Sequence, residues 1–213
     1  MAHGPCFAER ISWIVASLSA LLLAGSAPAE TLATRSFSLA NDPSAVVLHL
    51  SEQFEELASP GPTLTLYADG RLVVEYPPVM KRAGTYERRL AASELNATLA
   101  SLLDKGLGEF DARVARARKE QAARARMRAR AVDPSAPGLP VYESDATTTR
   151  IELKLAAYAV DPAAARPLDR TIVWSGLRTD GRDFPEVPEL VALADAVALL
   201  RQMMNSPELA KVR

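Results

Sequence analysis

Outside the first thirty residues the chain has a single histidine, His49. Ser51 lies two residues further on, and alternate residues of a strand share a face, so the two form a hydroxyl and imidazole pair suited to general-base chemistry. Nucleophile and base usually come from different elements, however, and the alternative places His49 on the less apolar face of an edge strand. The sequence therefore assigns no catalytic residue. A hydrolase whose residues converge only in three dimensions stays an alternative function.

Metal chemistry has few candidate ligands in this sequence. The one cysteine, Cys6, lies near the amino terminus, so the rest of the chain offers no thiolate to complete a zinc site with His49. The stretch RTDGRDFPE at 178–186 carries three acids, but its arginines and its spacing do not match a calcium loop. We predict a polar turn centred on Asp180-Gly181 there, and no metal ion or other cofactor.

Positively charged side chains are concentrated in one stretch of the sequence. The stretch RVARARKEQAARARMRAR at 113–130 holds eight basic side chains and one acidic one, a net charge of +7, whereas the other residues after position 29 sum to −8. The helix predicted over about 110–132 would therefore either lie against the protein's own acidic surface or project and bind a polyanion. The candidate partner-binding residues here are Arg113, Arg116, Lys119, Arg124, Arg126, Arg128 and Arg130.

The small side chains of this helix lie together on one side of it. A stripe spanning about 100° of a helical wheel consists of Val114, Ala115, Ala122, Ala125, Ala129 and Val132, with Arg118 falling inside it. Such a stripe is too narrow and too rich in alanine to enter a bilayer. The run also lacks aromatic residues to stack on bases, which argues against nucleic acid as the partner.

A second candidate contact is the loop YPPVMKRAG at 76–84, where two prolines stiffen the chain beside Lys81 and Arg82. It is either a recognition loop or a plain connection between strands. Aromatic residues in or beside the predicted strands favour packing on the sheet over a ligand platform; they are Tyr67, Tyr76, Tyr86 and Trp174.

The elements that must position these residues begin with a hairpin. In TLTLYADGRLVVEYPP, 63–78, two β-prone runs flank Asp69-Gly70, a dipeptide that supplies positive φ angles for a tight turn. SPGP at 59–62 is typical of a breaker before it. Further strands are predicted in AVVLHLS (45–51), GTYERRL (84–90), TTTRIELKLAAYAV (147–160) and TIVWSGL (171–177).

Two amphipathic helices complete the pattern. Ser93 is the predicted N-cap of SELNATLASLLDKG, and Pro188 begins the apolar PELVALADAVALLRQMM. This order predicts an α+β fold, a small antiparallel sheet with helices packed on one face, plus the basic helix inserted between its two halves. We expect a signal peptide over 1–29, a loose lead-in over 30–44, one domain over 45–205 and a tail over 206–213.

The first thirty residues have the layout of a secretory signal peptide. Arg10 precedes an apolar stretch of 14 residues, and Ala27 and Ala29 stand at the −3 and −1 positions of a cleavage site. Cleavage is expected after Ala29. The stretch is shorter than the roughly 20 residues of a membrane span, so no transmembrane segment is expected in the mature chain, which would reside in a bacterial periplasm or outside the cell.

The hairpin and the segments after it resemble a group of uncharacterised exported bacterial proteins. The similarity covers about 64–111 and rests on LTLYADGRLVVEYPP, KRAGTYERRL and SELNATLASLL. Some related domains carry a Cys-x-x-Cys pattern before the hairpin, where this chain has ASPGPT, so no redox or metal role transfers. The resemblance supports the fold and implies no activity. The sequence as a whole favours a non-catalytic interaction module with a protein or polyanionic envelope partner.

Overall fold

The computed structural model describes residues 35–54, 59–138 and 147–212; the predicted signal peptide lies outside them. These residues form one sheet of eight strands and four α-helices. The strands are β1 (Ser36–Ser38), β2 (Val46–Phe54), β3 (Ser59–Tyr67), β4 (Arg71–Tyr76), β5 (Gly84–Arg89), β6 (Thr147–Ala159), β7 (Arg166–Ser175) and β8 (Ala210–Lys211). The helices are α1 (Ala92–Asp104), α2 (Ala112–Val132), α3 (Leu177–Asp183) and α4 (Pro188–Met204). The predicted α+β class is confirmed.

Strand β6 is the longest and connects the parts of the sheet. It pairs with β7 along most of its length, with β2 over its first half and with β1 over its last residues. From β2 the sheet continues through β3, β4 and β5 to the short β8, and every pair is antiparallel. β2 is therefore an interior strand. The expectation that His49 lies on an edge strand is wrong, because alternation along a strand reveals its two faces but not its neighbours.

The predicted hairpin is formed by β3 and β4. Gly70 in the turn has a φ of +83°, and its N–H donates to the carbonyl of Tyr67 at 3.0 Å. The carboxylate of Asp69 accepts the N–H of Arg71 at 2.9 Å. A Cβ at residue 70 would lie 2.6 Å from the carbonyl oxygen of Leu90. Both the backbone angle and this close approach therefore require glycine.

The sheet has one apolar and one polar face. In β6, Ile151, Leu153 and Leu155 are buried, whereas Arg150 and Lys154 are exposed. The apolar face packs against α1 and α4, and full burial of one such leucine stabilises the fold by about 1.5–3 kcal/mol relative to exposure. The leucines that the two helices bury in this core are Leu95, Leu99, Leu102, Leu103, Leu190, Leu193 and Leu200.

The predicted polar turn at Asp180-Gly181 is instead part of a helix, α3. Gly176, with a φ of +70°, precedes the helix and turns the chain out of β7. Gly181 lies within α3, where a Cβ would be 2.6 Å from the Cβ of Ala194 in α4. This glycine allows α3 to pack closely on α4. An Asp-Gly dipeptide looks the same in the sequence whether the glycine forms a turn or allows close helix packing. For this reason the prediction of a turn is wrong.

Three smaller differences concern element boundaries. SPGP is not a breaker but the first part of β3, and Gly61 passes so close to the backbone of Glu52 that a Cβ would meet its oxygen at 2.5 Å. Helix α1 begins one residue before Ser93, with Ala91 as an N-cap that makes no side-chain bond. β1 and β8 are strands within the predicted lead-in and tail, where no strand is predicted. Each pairs with a longer strand, and this pairing orders a short segment that has little strand propensity of its own.

Candidate binding surface on the basic helix

Helix α2 carries the basic run and begins at a capped first turn. The carboxylate of Asp111 accepts the N–H groups of Val114 and Arg113, at 3.1 and 2.8 Å. These two backbone hydrogen bonds favour the charged form and lower the pKa of Asp111. The predicted helix is confirmed over Ala112–Val132, 21 residues without glycine or proline.

The face of α2 that contacts the protein coincides only in part with the stripe of small residues. Ala115 is fully buried, and Ala112, Ala122 and Ala123 are partly buried against the core. The other members of the stripe face solvent, and Val132 is 88 % exposed. Ala115 and Ala122 therefore belong both to the stripe and to the contact with the protein, whereas the rest of the stripe does not contact the core.

The most buried ion pair of α2 joins Lys119 to Asp180. The Nζ of Lys119 lies 2.6 Å from each carboxylate oxygen of Asp180, and Asp180 is only 7 % exposed. The indole N–H of Trp174 donates to the same carboxylate at 2.8 Å. One carboxylate thus joins α2, α3 and β7. Removing one partner of a buried pair leaves an uncompensated charge and typically costs about 3–5 kcal/mol.

Two further ion pairs attach the same side of α2. Arg118 contacts Glu189 at the start of α4, and Arg126 contacts Glu186 at 2.7 Å. The Arg126 guanidinium also lies 4.9 Å from the ring centre of Phe184. The acidic surface that accepts the basic helix is therefore the α3–α4 region. The sequence has one signal for this contact, namely Arg118, a charged residue inside the apolar stripe.

The other arginines of α2 have no such partner in the described part of the chain. Arg124 pairs only within the helix, with Glu120 at 3.7 Å, and both side chains are more than half exposed. Every residue over 127–132 is exposed. Arg116 lies at the border, with its guanidinium 5.4 Å from the ring centre of Trp174. We call the remaining group the exposed arginine set; it consists of Arg113, Arg124, Arg128 and Arg130.

The loop between β4 and β5 folds back on the sheet. Arg82 lies 4.5 Å from the ring centre of Tyr86 and 5.3 Å from that of Tyr76, while Lys81 is exposed. The Tyr76 hydroxyl donates to the carbonyl of Met204 at 2.6 Å, and burial raises its pKa. Several strands separate β4 and β5 from β7, the strand beside α2. The structure therefore does not bring Lys81 and Arg82 together with the exposed arginine set.

His49 lies on the polar face of the sheet. Its Nδ1 is 3.0 Å from the Oγ1 of Thr65 on β3, and its backbone is paired with Glu152 on β6. Ser51 shares this face and lies opposite Thr63. The structure thus adds hydroxyl and carboxylate neighbours that the sequence does not reveal. His49, Ser51 and Glu152 are all partly buried.

A cavity lies where α2 begins. Its volume is about 400 Å³, and its lining residues are Phe110, Asp111, Ala112, Arg113, Arg170, Thr171 and Ile172. The guanidinium of Arg170 donates to the carbonyl of Phe110 at 3.0 Å and so links β7 to this turn. Sequence reasoning missed this site, because its two walls lie about 60 residues apart in the chain.

Comparison with family models, curated proteins and solved structures gives no match. The resemblance to exported bacterial proteins therefore stays a prediction. Within the described ranges, no three or more His, Cys, Asp or Glu side chains are arranged to hold a metal ion. The same ranges contain no helix with the length and apolar character needed to span a membrane.

Proposed function

We propose that the protein is an exported, non-catalytic binding module and that the exposed arginine set binds a polyanionic partner of the cell envelope. The observation that carries the proposal is the division of charge on α2. Lys119, Arg118 and Arg126 are neutralised by acids of α3 and α4. In the described residues, Arg124, Arg128 and Arg130 make no ion pair with an acid outside the helix. Export is supported by the signal-peptide layout of residues 1–29.

Docking of the inner face holds the outer face in a fixed orientation. At a rise of 1.5 Å per residue, Arg113 and Arg128 lie about 22 Å apart along the axis, and with Arg124 they fall within about 60° of one another. Such a row suits a linear anionic polymer, which needs spaced cations and no deep pocket. Arginine contributes here because its planar guanidinium binds sulfate, phosphate and carboxylate groups in a bidentate manner.

The hydrolase alternative draws on His49, Ser51 and Glu152, which share the polar face of the sheet. The cavity at the start of α2 is lined by other residues. These three side chains therefore lie apart from that cavity. For this reason we favour the binding function, and the hydrolase stays a prediction.

Chromatography on immobilised heparin tests the proposal, because binding by charge with counterion release weakens steeply as salt rises. We expect the purified protein to be retained at low ionic strength. The variant Arg124→Gln/Arg128→Gln/Arg130→Gln should elute at the void, with an unchanged circular dichroism spectrum and melting temperature. Arg126 is left intact in this variant because its pair with Glu186 contributes to docking.

A matched control removes three positive charges from other exposed sites. Arg89→Gln/Arg166→Gln/Arg178→Gln changes the net charge by the same amount, since all three side chains are exposed and lie outside α2. The control should keep most of the retention. Equal retention of the parent and the α2 variant would contradict the proposal, as would equal loss in both variants, which would indicate an effect of net charge alone.

A further inference from the structure

The outer edge of β7 is a site for another strand. Among the described strands, β7 pairs only with β6. Its first half carries the residues that commonly prevent edge-to-edge pairing, namely Arg166, Pro167, Asp169 and Arg170. The four residues that follow, 171–174, are uncharged and contain no proline. An edge strand presents a row of N–H and C=O groups that an extended chain can pair with.

The cavity at the start of α2 lies along this same edge. Residues of β7 form one wall and the turn into α2 forms the other, held together by the hydrogen bond from Arg170 to the Phe110 carbonyl. Phe110 also packs edge-on against Trp174, with ring centres 6.1 Å apart. A strand added to β7 would therefore run beside a space already shaped to take one of its side chains.

Charge around the edge favours an acidic occupant. Arg113 and Arg170 line the cavity, and Arg116 lies over Trp174. The two nearby acids are engaged, since Asp111 caps α2 and Asp169 lies 3.9 Å from Lys154. A second copy of the chain is a poorer occupant. Antiparallel pairing of two β7 edges about their middle would bring the arginines of both copies together, and like charges in an interface cost several kcal/mol.

We propose that β7 binds an extended acidic peptide of a partner protein as an additional strand, with one side chain of the peptide in the cavity. Main-chain hydrogen bonds along 171–174 would supply affinity, and the arginines would select acidic residues. The proposal does not depend on polyanion binding, because the two proposed sites share only Arg113. The peptide site otherwise uses β7, whereas Arg124, Arg128 and Arg130 lie toward the carboxyl-terminal end of α2.

Nuclear magnetic resonance of the ¹⁵N-labelled protein with two synthetic peptides tests this proposal. The peptide EVETEVE should shift the amide signals of residues 171–174, and the peptide KVKTKVK should bind at least about tenfold more weakly because its charges are reversed. Shifts restricted to 124–130 would overturn the proposal and indicate charge attraction to the helix alone. An absence of shifts with both peptides would also overturn it. So would a dimer in sedimentation velocity that the peptide does not dissociate.

Variants at Thr171, an exposed residue on the edge strand and in the cavity wall, give the matched comparison. Thr171→Glu should weaken EVETEVE binding about tenfold by repulsion, whereas Thr171→Lys should not weaken it. The α2 variant Arg124→Gln/Arg128→Gln/Arg130→Gln should still bind the peptide. This result separates failure of the strand proposal from failure of the polyanion proposal. Equal affinity of the Thr171→Glu and Thr171→Lys proteins would contradict an acidic occupant.

Discussion

The middle and the end of α2 use the same residue types for opposite purposes. Lys119 forms a largely buried pair with Asp180, while Arg128 and Arg130 face solvent about three turns further along. The difference comes from what lies opposite each residue, since α3 and α4 supply carboxylates beside the middle of the helix. Charge on a helix therefore does not by itself indicate a binding surface. The unpaired part is the candidate.

The largest expected effect comes from breaking the docked part at Asp180. Replacing Asp180 by Asn keeps an acceptor for the Trp174 indole but removes the carboxylate charge beside the half-buried ammonium of Lys119. We expect the free energy of unfolding in urea to fall by about 3–5 kcal/mol.

The matched control for Asp180→Asn is Asp183→Asn, on the same helix. Asp183 is 17 % exposed, but its partner Arg182 is 66 % exposed, so solvent screens this pair more than the Lys119–Asp180 pair. Its loss should cost no more than about 1 kcal/mol. Similar losses in the two variants would show that the Lys119 pair does not hold α2.

An intermediate loss of stability is expected when a larger side chain is placed on the docked part of α2, and almost none when it is placed on the exposed part. Ala115 is fully buried, so Ala115→Leu should destabilise the protein by about 1–3 kcal/mol through overpacking. Ala129 is exposed, and Ala129→Leu should change stability by less than about 0.5 kcal/mol. Thermal and urea denaturation of both proteins measure this contrast. A cost at residue 129 equal to that at residue 115 would mean that the end of the helix is also docked.

The smallest effect concerns the cap of α2 and depends on pH. The pKa of Asp111 in the folded protein is lowered from 3.8. Its contribution to stability is therefore present above that value and is lost as the pH falls through the lower folded pKa. Asp111→Asn keeps a capping side chain without a titrating group, so it should lose less stability than the parent between about pH 5 and pH 2. Identical acid titrations of helicity by circular dichroism would argue against this role.

Sequence patterns predict those parts of the fold that depend only on neighbouring residues in the chain. The Asp69-Gly70 turn and the alternation of Ile151 and Leu153 follow from backbone angles and from the two faces of a strand, and both predictions are confirmed. Gly181 misleads, because the need for it comes from Ala194 in another helix. The length and charge of α2 are predictable as well.

The candidate site is less predictable because its parts meet only after folding. The sequence shows an excess of acid outside the basic run but not that Asp180, Glu186 and Glu189 are the acids that receive it. The cavity beside β7 requires Phe110 and Arg170, which are 60 residues apart. Neither the ion pairs of α2 nor the walls of this cavity follow from a periodic pattern in the sequence. The sequence therefore reveals the charged residues but not their partners.

The indole of Trp174 gives the protein an intrinsic optical reporter. The chain has two tryptophans, and the other, Trp13, lies within the predicted signal peptide. Trp174 is buried, with its N–H on the carboxylate of Asp180 and the guanidinium of Arg116 near its ring. Indole emission depends on the polarity and charge around the ring. In a protein produced without residues 1–29, the fluorescence of this one residue would therefore distinguish attached from detached α2 without any added label.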